Sequence, residues 1–310
     1  MFHLGLDPHT TPEPLLIGGA YHVAVAHLVA NRDREGALEL AESHYRERIA
    51  DEHLLAEELR LAEQNIELTK RMVNAQADLY ENDDWTLLQP EVEFCVELPN
   101  TLHHCTFIHE ILHPEGIGLS GCTDDRCFVN HHLKGRTDGL IAWKGMVWII
   151  ERKTSGLAGE FFWTQWQLAS QPTGYIYGAW KGAGVRPNGF ILEKTNKPRK
   201  NSRDPFHITI EREPFLRSDA DLLEFEKDIS QIATDYERAY LENAWYKNTA
   251  SCTNWNRKCY FHDLCKRNQE QIAGEFRPRK KDYVDAEYYK LLGLPVPQEV
   301  ADEPTEVDTQ

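Results

Sequence analysis

The chain has 310 residues, 41% of them hydrophobic, and a formal net charge of −16, enough to bury a sizeable core. No run reaches the roughly 20 apolar residues that span a bilayer, and the first twenty residues lack a basic and then apolar leader, so a cytoplasmic protein with no membrane partner is expected. Seven cysteines, an odd number, argue for thiols or metal ligands over a disulfide framework.

Residues 1–17 are Pro-rich and read as irregular. A helix is predicted from Gly18, with Tyr21, Val25, Leu28 and Val29 on one face and His22 in its first turn. From Arg34 to Tyr80 the chain is rich in Ala, Leu, Glu and Arg and free of proline, which predicts one or two long helices with a solvated charged face. Trp85–Leu98 reads as a strand, Val92, Phe94 and Val96 alternating with Glu91, Glu93, Cys95 and Glu97. Residues 99–134 are dense in His and Cys without clean zinc spacing, so a zinc site and a polar insertion are both open.

The stretch Gly135–Ser155 reads as a β-hairpin, with strand formers on either side of Lys144-Gly145 as a two-residue turn. If Trp143 pairs with Met146, counting back places Asp138 opposite Glu151 and Arg136 opposite Lys153. Period two then puts Glu151 and Lys153 on one face. Two opposed carboxylates repel unless a proton or a cation lies between them. Mg²⁺ or Mn²⁺ fits such a pair, with waters and a substrate phosphate as further ligands, and Lys153 could hold the attacking water or offset charge on a phosphate. The alternative is a surface hairpin whose charges merely pair across strands.

Next, a helix is predicted through residues 161–180, with Gln171 and Tyr175 four apart on one face and Pro172 as an acceptable first-turn residue. NGFILEKT and HITIERE read as two further strands around a basic loop, which would complete a mixed sheet of about five strands. An acidic helix follows from Asp219 to Trp245. Cys252, Cys259 and Cys265 then fall within one short segment, a spacing that suggests a bound metal. Lys194, Lys197, Arg199 and Lys200 belong to a basic run that either lines a DNA path or forms solvated loops.

An Asp followed after a hairpin by Glu-x-Lys resembles the core of the PD-(D/E)XK nucleases. The flanking Gly18-Gly19-Ala20-Tyr21-His22, Glu93 within PEVEF, and Gln171-Pro172-Thr173-Gly174-Tyr175 resemble the Gly-x-x-x-His, upstream Glu and Gln-x-x-x-Tyr motifs of its RecB-like branch. The resemblance implies an α/β restriction-endonuclease-like core with a mixed central sheet flanked by helices and an N-terminal helical region. It implies one domain over 1–295, divided into a helical region 18–84, a sheet core 85–215 and a C-terminal helix with cysteine loop 216–281, before an acidic disordered tail 296–310.

The implied activity is a Mg²⁺- or Mn²⁺-dependent deoxyribonuclease, an exonuclease acting on DNA ends or single strands in recombination, repair or phage DNA metabolism, with a helicase or recombination protein as partner. Asp138, Glu151, His22 and the Ile150 carbonyl would be the metal ligands, Lys153 would position water, Gln171 and Tyr175 would complete the site, and Glu93 would add an acid. In the iron–sulphur members of this branch, a cysteine trio like Cys252, Cys259 and Cys265 joins one earlier cysteine on a [4Fe-4S] cluster. No cysteine precedes Cys95 here, so a cluster with another ligand, Zn²⁺ and unliganded thiols all stand. The alternative function is an inactive DNA-binding or assembly module stabilised by a metal-bound cysteine loop.

Overall fold

The computed structural model describes residues 6–8, 11–50, 54–98, 131–157, 159–198, 207–241, 244, 249–256, 258–259, 261–266 and 276–278. The expected His/Cys-rich insertion, Arg199, Lys200 and the acidic tail lie outside the described residues or almost wholly so. Where one domain over 1–295 is expected, the chain divides into two compact units, Pro12–Trp245 and Met1–Thr11 with Tyr246–Gln310.

The larger unit opens with α1 (Glu13–Asn31), five residues ahead of the predicted start. Pro12 takes the N-cap and Pro14 lies in the first turn, where an absent N–H costs nothing, so Leu16 and Ile17 join the helical apolar face. His22 therefore sits mid-helix and not in the first turn. By length and composition α1 is the one helix among the described residues that could cross a membrane; here Ala20, Tyr21, Ala24 and Val25 are fully buried in the core. Next come α2 (Arg34–Ile49), capped by Asp33 accepting from the Gly36 N–H at 3.0 Å, and α3 (Ala56–Tyr80). As expected, their charges pair on exposed surface, Arg46 with Glu42 and Glu63 among them.

The strand expected over 85–98 is two strands, β2 (Thr86–Gln89) and β3 (Val92–Glu97), broken where Glu91 takes a positive φ of 50°. Its partner breaks at the same level into β4 (His132–Thr137) and β5 (Leu140–Trp143). β3 pairs with β4, and β2 with β5, all antiparallel. β6 (Met146–Ser155) returns from β5 through the turn at Lys144 (φ 50°) and Gly145 (φ 75°), and Trp143 pairs with Met146 as predicted. Positive φ at both central residues matches the twist of a tight hairpin.

After β6, α4 (Glu160–Gln167) and α5 (Ser170–Lys181) make the crossover that a parallel neighbour requires, since parallel strands cannot be joined by a hairpin. β7 (Gly189–Asn196) pairs parallel with β6, and β8 (Ile210–Leu216) closes the edge antiparallel to β7. The result is a five-stranded mixed sheet in the order β2-β5-β6-β7-β8, followed by α6 (Asp219–Leu241).

Period two along β6 and β7 divides the core. Ile150 and Ile191 face a cluster built on α1 and α3, while Ile149, Phe190 and Leu192 face one built on α5 and α6. Because β7 is covered on both sides, Gly189 to Thr195 are all buried. Phe94 of β3 fills the space beside Gly135 and Gly178, where an added Cβ would lie 2.4 and 2.2 Å from its ring, so it locks α5 against β3–β4.

In the smaller unit, β1 (Leu6–Pro8) pairs antiparallel with β9 (Phe276–Pro278). A 3₁₀ segment (Thr249–Asn256) and the short α7 (His262–Lys266) carry the cysteines.

Candidate active site

The hairpin register holds up to Leu140↔Ile149 and then changes. The Ile150 N–H still donates to the Gly139 carbonyl at 3.0 Å, but the next ladder donor, the Arg152 N–H, goes to the Asp138 carboxylate (Oδ2) at 2.7 Å. Asp138 thus ends the β5–β6 pairing with its side chain. Arg136 is not opposite Lys153: it lies in β4, opposite Glu93 of β3, because the ribbon has left β6 by that point.

Glu151 and Lys153 share the face of β6 that looks toward α4 and α5. The Lys153 ammonium donates to Glu151 Oε1, and the Gln171 amide nitrogen reaches the same oxygen at 3.4 Å. Gln171 also donates to the Tyr175 hydroxyl at 2.8 Å, so the i,i+4 pair on α5 does meet. Lys153 Nζ stands 5.4 Å from the Trp166 ring centre, an arrangement that favours a cation. On the other side, His22 Nδ1 is 3.2 Å from Asp138 Oδ1.

The two carboxyl groups are shifted in opposite directions. Burial acts to raise Asp138, but His22 and the Arg152 N–H and guanidinium outweigh it and bring the group down to about 2. Burial and then the Asp138 charge push Glu151 up to about 7, with Lys153 only partly opposing them. Burial and the nearby Glu151 push the Tyr175 phenol up to about 12. A second anion beside Asp138 is therefore costly until a cation arrives.

One atom tests whether a divalent ion fits. Glu151 Oε2 is buried and has no hydrogen-bond partner, the expected position of an oxygen awaiting a ligand. Among the described residues no three His, Cys, Asp or Glu side chains are grouped to enclose a metal by themselves. A Mg²⁺ ion does not need them, since one or two carboxylates with waters and a phosphate suffice. Ile150, the other expected contributor, is fully buried in β6 opposite Ile191 of β7.

Other expected residues lie elsewhere. Glu93 is exposed on β3 across from Arg136, and the neighbouring Glu91 is the acid paired with Arg136, at 3.5 Å. The reading of Lys194 as a DNA-contacting residue is corrected. It lies within β7 at 2% exposure, paired with Glu211 at 3.1 Å, its ammonium 5.0 and 5.6 Å from the Phe162 and Trp163 rings. The lysine was grouped with the basic run that follows it, although it lies within the predicted strand NGFILEKT, and that strand is covered on both faces. Lys197 follows β7, its N–H donating to the Ser155 carbonyl at 2.8 Å.

Cys252, Cys259 and Cys265 are half-buried, and the Cys259 N–H donates to the Cys252 carbonyl at 2.8 Å. Their side chains are not gathered as a metal-holding group.

Two residues here escaped the sequence reading. Trp166 caps Lys153, and Arg152, the variable position of Glu-x-Lys, supports Asp138 from the opposite face of β6. The signal for Arg152 was available: an arginine facing a core needs a buried acid, and Glu193 ends the apolar run of the neighbouring strand.

No protein-family model and no curated protein matches the chain. Among solved structures, one titled "Crystal structure of SSO0001" matches with a TM-score of 0.32 and 16% identity over 84% of this chain and 87% of that one. A likeness so loose carries no argument about fold or function.

Proposed function

We propose that the protein is a metal-dependent deoxyribonuclease with a RecB-like PD-(D/E)XK core. The observation that carries this reading is the unpartnered, buried Glu151 Oε2 beside an ionised Asp138 and the Lys153 ammonium. Asp138 and Glu151 would hold Mg²⁺ or Mn²⁺. When bound, such an ion polarises a phosphoryl oxygen and lowers the pKa of a coordinated water.

The chain's own residues do the rest. Asp138 is kept charged by His22 and Arg152 and so is ready to ligate without losing a proton. Glu151, its carboxyl raised to about 7 by burial and Asp138, would release its proton to solvent on ligating a cation. Lys153, steered by Glu151 Oε1 and the Trp166 ring, presents a positive donor where a phosphate oxygen or attacking water would lie. Gln171 orients the Glu151 carboxylate and the Tyr175 hydroxyl together. DNA as the substrate and exonuclease action come from the motif resemblance, and a helicase or recombination protein is the partner that resemblance suggests.

The test is hydrolysis of end-labelled single- and double-stranded DNA with Mg²⁺ or Mn²⁺ by wild type and by Glu151→Gln. Cutting by the wild type alone supports the reading. Binding of DNA without cutting under either metal would replace it with the binding-module alternative.

A further inference from the structure

Behind the carboxylates, on the α1–α3 side of β6, lies a buried polar network of which the proposed chemistry uses only the charge and N–H of Arg152. At its centre Arg152 is 2% exposed, its Nε donating to the Tyr80 hydroxyl at 2.8 Å and lying 3.5 Å from Glu193 Oε1. Glu193 is fully buried on β7 and accepts from Gln76 at 2.8 Å, Tyr80 at 2.9 Å and Arg212 at 2.6 Å. Arg212 in turn clasps Asp83 at 2.5 and 2.7 Å. Two guanidinium groups thus balance two carboxylates. The Tyr21 hydroxyl of α1 donates to Gln76 at 2.6 Å and is 2.7 Å from Thr195 Oγ1.

Both ends of this network reach Asp138. Arg152 Nη1 donates to the Asp138 main-chain carbonyl at 2.8 Å, while the Arg152 N–H holds the carboxylate Oδ2. At the other end, Tyr21 fixes α1 against α3 and β7, and the next residue, His22, touches Asp138 Oδ1. One residue therefore grips Asp138 by main chain and side chain, and the helix it is tied to grips the remaining oxygen.

Stability is a poor reason for such a network, because desolvating buried ion pairs often offsets their attraction and apolar replacements can be as stable. Groups that orient metal ligands are a better-attested use. Resting on the nuclease reading above, we infer that Arg152 is the positioning residue of the metal site, holding Asp138 at the break between β4 and β5 in the orientation that a divalent ion requires.

The test measures Mn²⁺ binding to the full chain by calorimetry, without DNA, for wild type, Tyr80→Phe, Arg152→Lys and the charge-balanced pair Arg152→Met with Glu193→Gln. Circular dichroism establishes which variants are folded. Folded Arg152 variants are expected to bind Mn²⁺ about 10–100-fold more weakly, with Tyr80→Phe weakened less. At saturating Mn²⁺, Arg152→Lys should recover part of its kcat with KM for DNA unchanged.

Wild-type Mn²⁺ affinity in any folded Arg152 variant overturns the inference while leaving the nuclease reading intact. Should both Arg152 proteins fail to fold, unchanged affinity in Tyr80→Phe overturns it equally. Absence of Mn²⁺ binding by the wild type removes both.

Discussion

Lys153 and Glu151 stand two residues apart on one face of β6, and the lysine occupies only one oxygen of the glutamate. The second oxygen is buried and unpartnered, so the pair is an incomplete salt bridge. Burial and then the Asp138 charge push the Glu151 carboxyl up to about 7, and the open oxygen leaves it receptive to a cation.

Stability should carry the mark of this carboxyl. The folded chain keeps the Glu151 proton between about pH 4.5 and 7 while the unfolded chain has released it, so stability falls as pH rises through that window. Glu151→Gln removes the effect. Metal-free urea titrations should show the variant gaining on wild type across the window, by roughly 3 kcal/mol at pH 8. A constant difference from pH 4 to 8 would contradict the assignment.

Metal binding should release the same proton. At pH 6, calorimetry in buffers of different ionisation enthalpy should report about one proton lost per Mn²⁺ bound, falling toward zero by about pH 8.5. Asp138 contributes none, since its carboxyl lies near 2. Proton release unchanged between those two pH values would argue that the ion binds elsewhere.

Gln171→Ala should leave the fold intact and lower kcat about tenfold with little change in KM for DNA. The amide links Glu151 to Tyr175 and makes no contact that the core depends on. A rise in KM alone would instead place Gln171 on the DNA.

The packing of α5 offers a check independent of chemistry. Gly178→Ala puts a methyl 2.2 Å from the Phe94 ring and should destabilise the protein by about 1–3 kcal/mol. Adding Phe94→Leu should return part of the loss. A neutral Gly178→Ala in thermal unfolding would mean that α5 does not seat on β3–β4 as described.

Much of the central architecture was legible because local chemistry fixed it. Lys144-Gly145 demanded a tight turn, alternation marked β3, and the i,i+4 spacing of Gln171 and Tyr175 put them on one helical face. The errors have equally local causes. Pro12 and Pro14 looked like irregular chain but are compatible with a helix start. Counting back from Trp143 assumed an unbroken ladder, whereas the Asp138 side chain takes over the pairing and sends Arg136 to β3. Lys194 was grouped with the basic run that follows it because its burial comes from Phe162 and Trp163 of α4 and Glu211 of β8, which no local pattern reveals. Arg152 was passed over because its partners come from α3 and β7, 72 and 41 positions away in the chain.

The most direct measurement is the cleavage of end-labelled single- and double-stranded DNA under Mg²⁺ and Mn²⁺ by wild type, Glu151→Gln and Lys153→Ala, each first shown to be folded. The site described here predicts cutting by wild type and a loss of at least about a hundredfold in both variants. Wild-type protein that binds DNA yet cuts neither substrate under either metal, or folded variants that cut as fast as wild type, would contradict it.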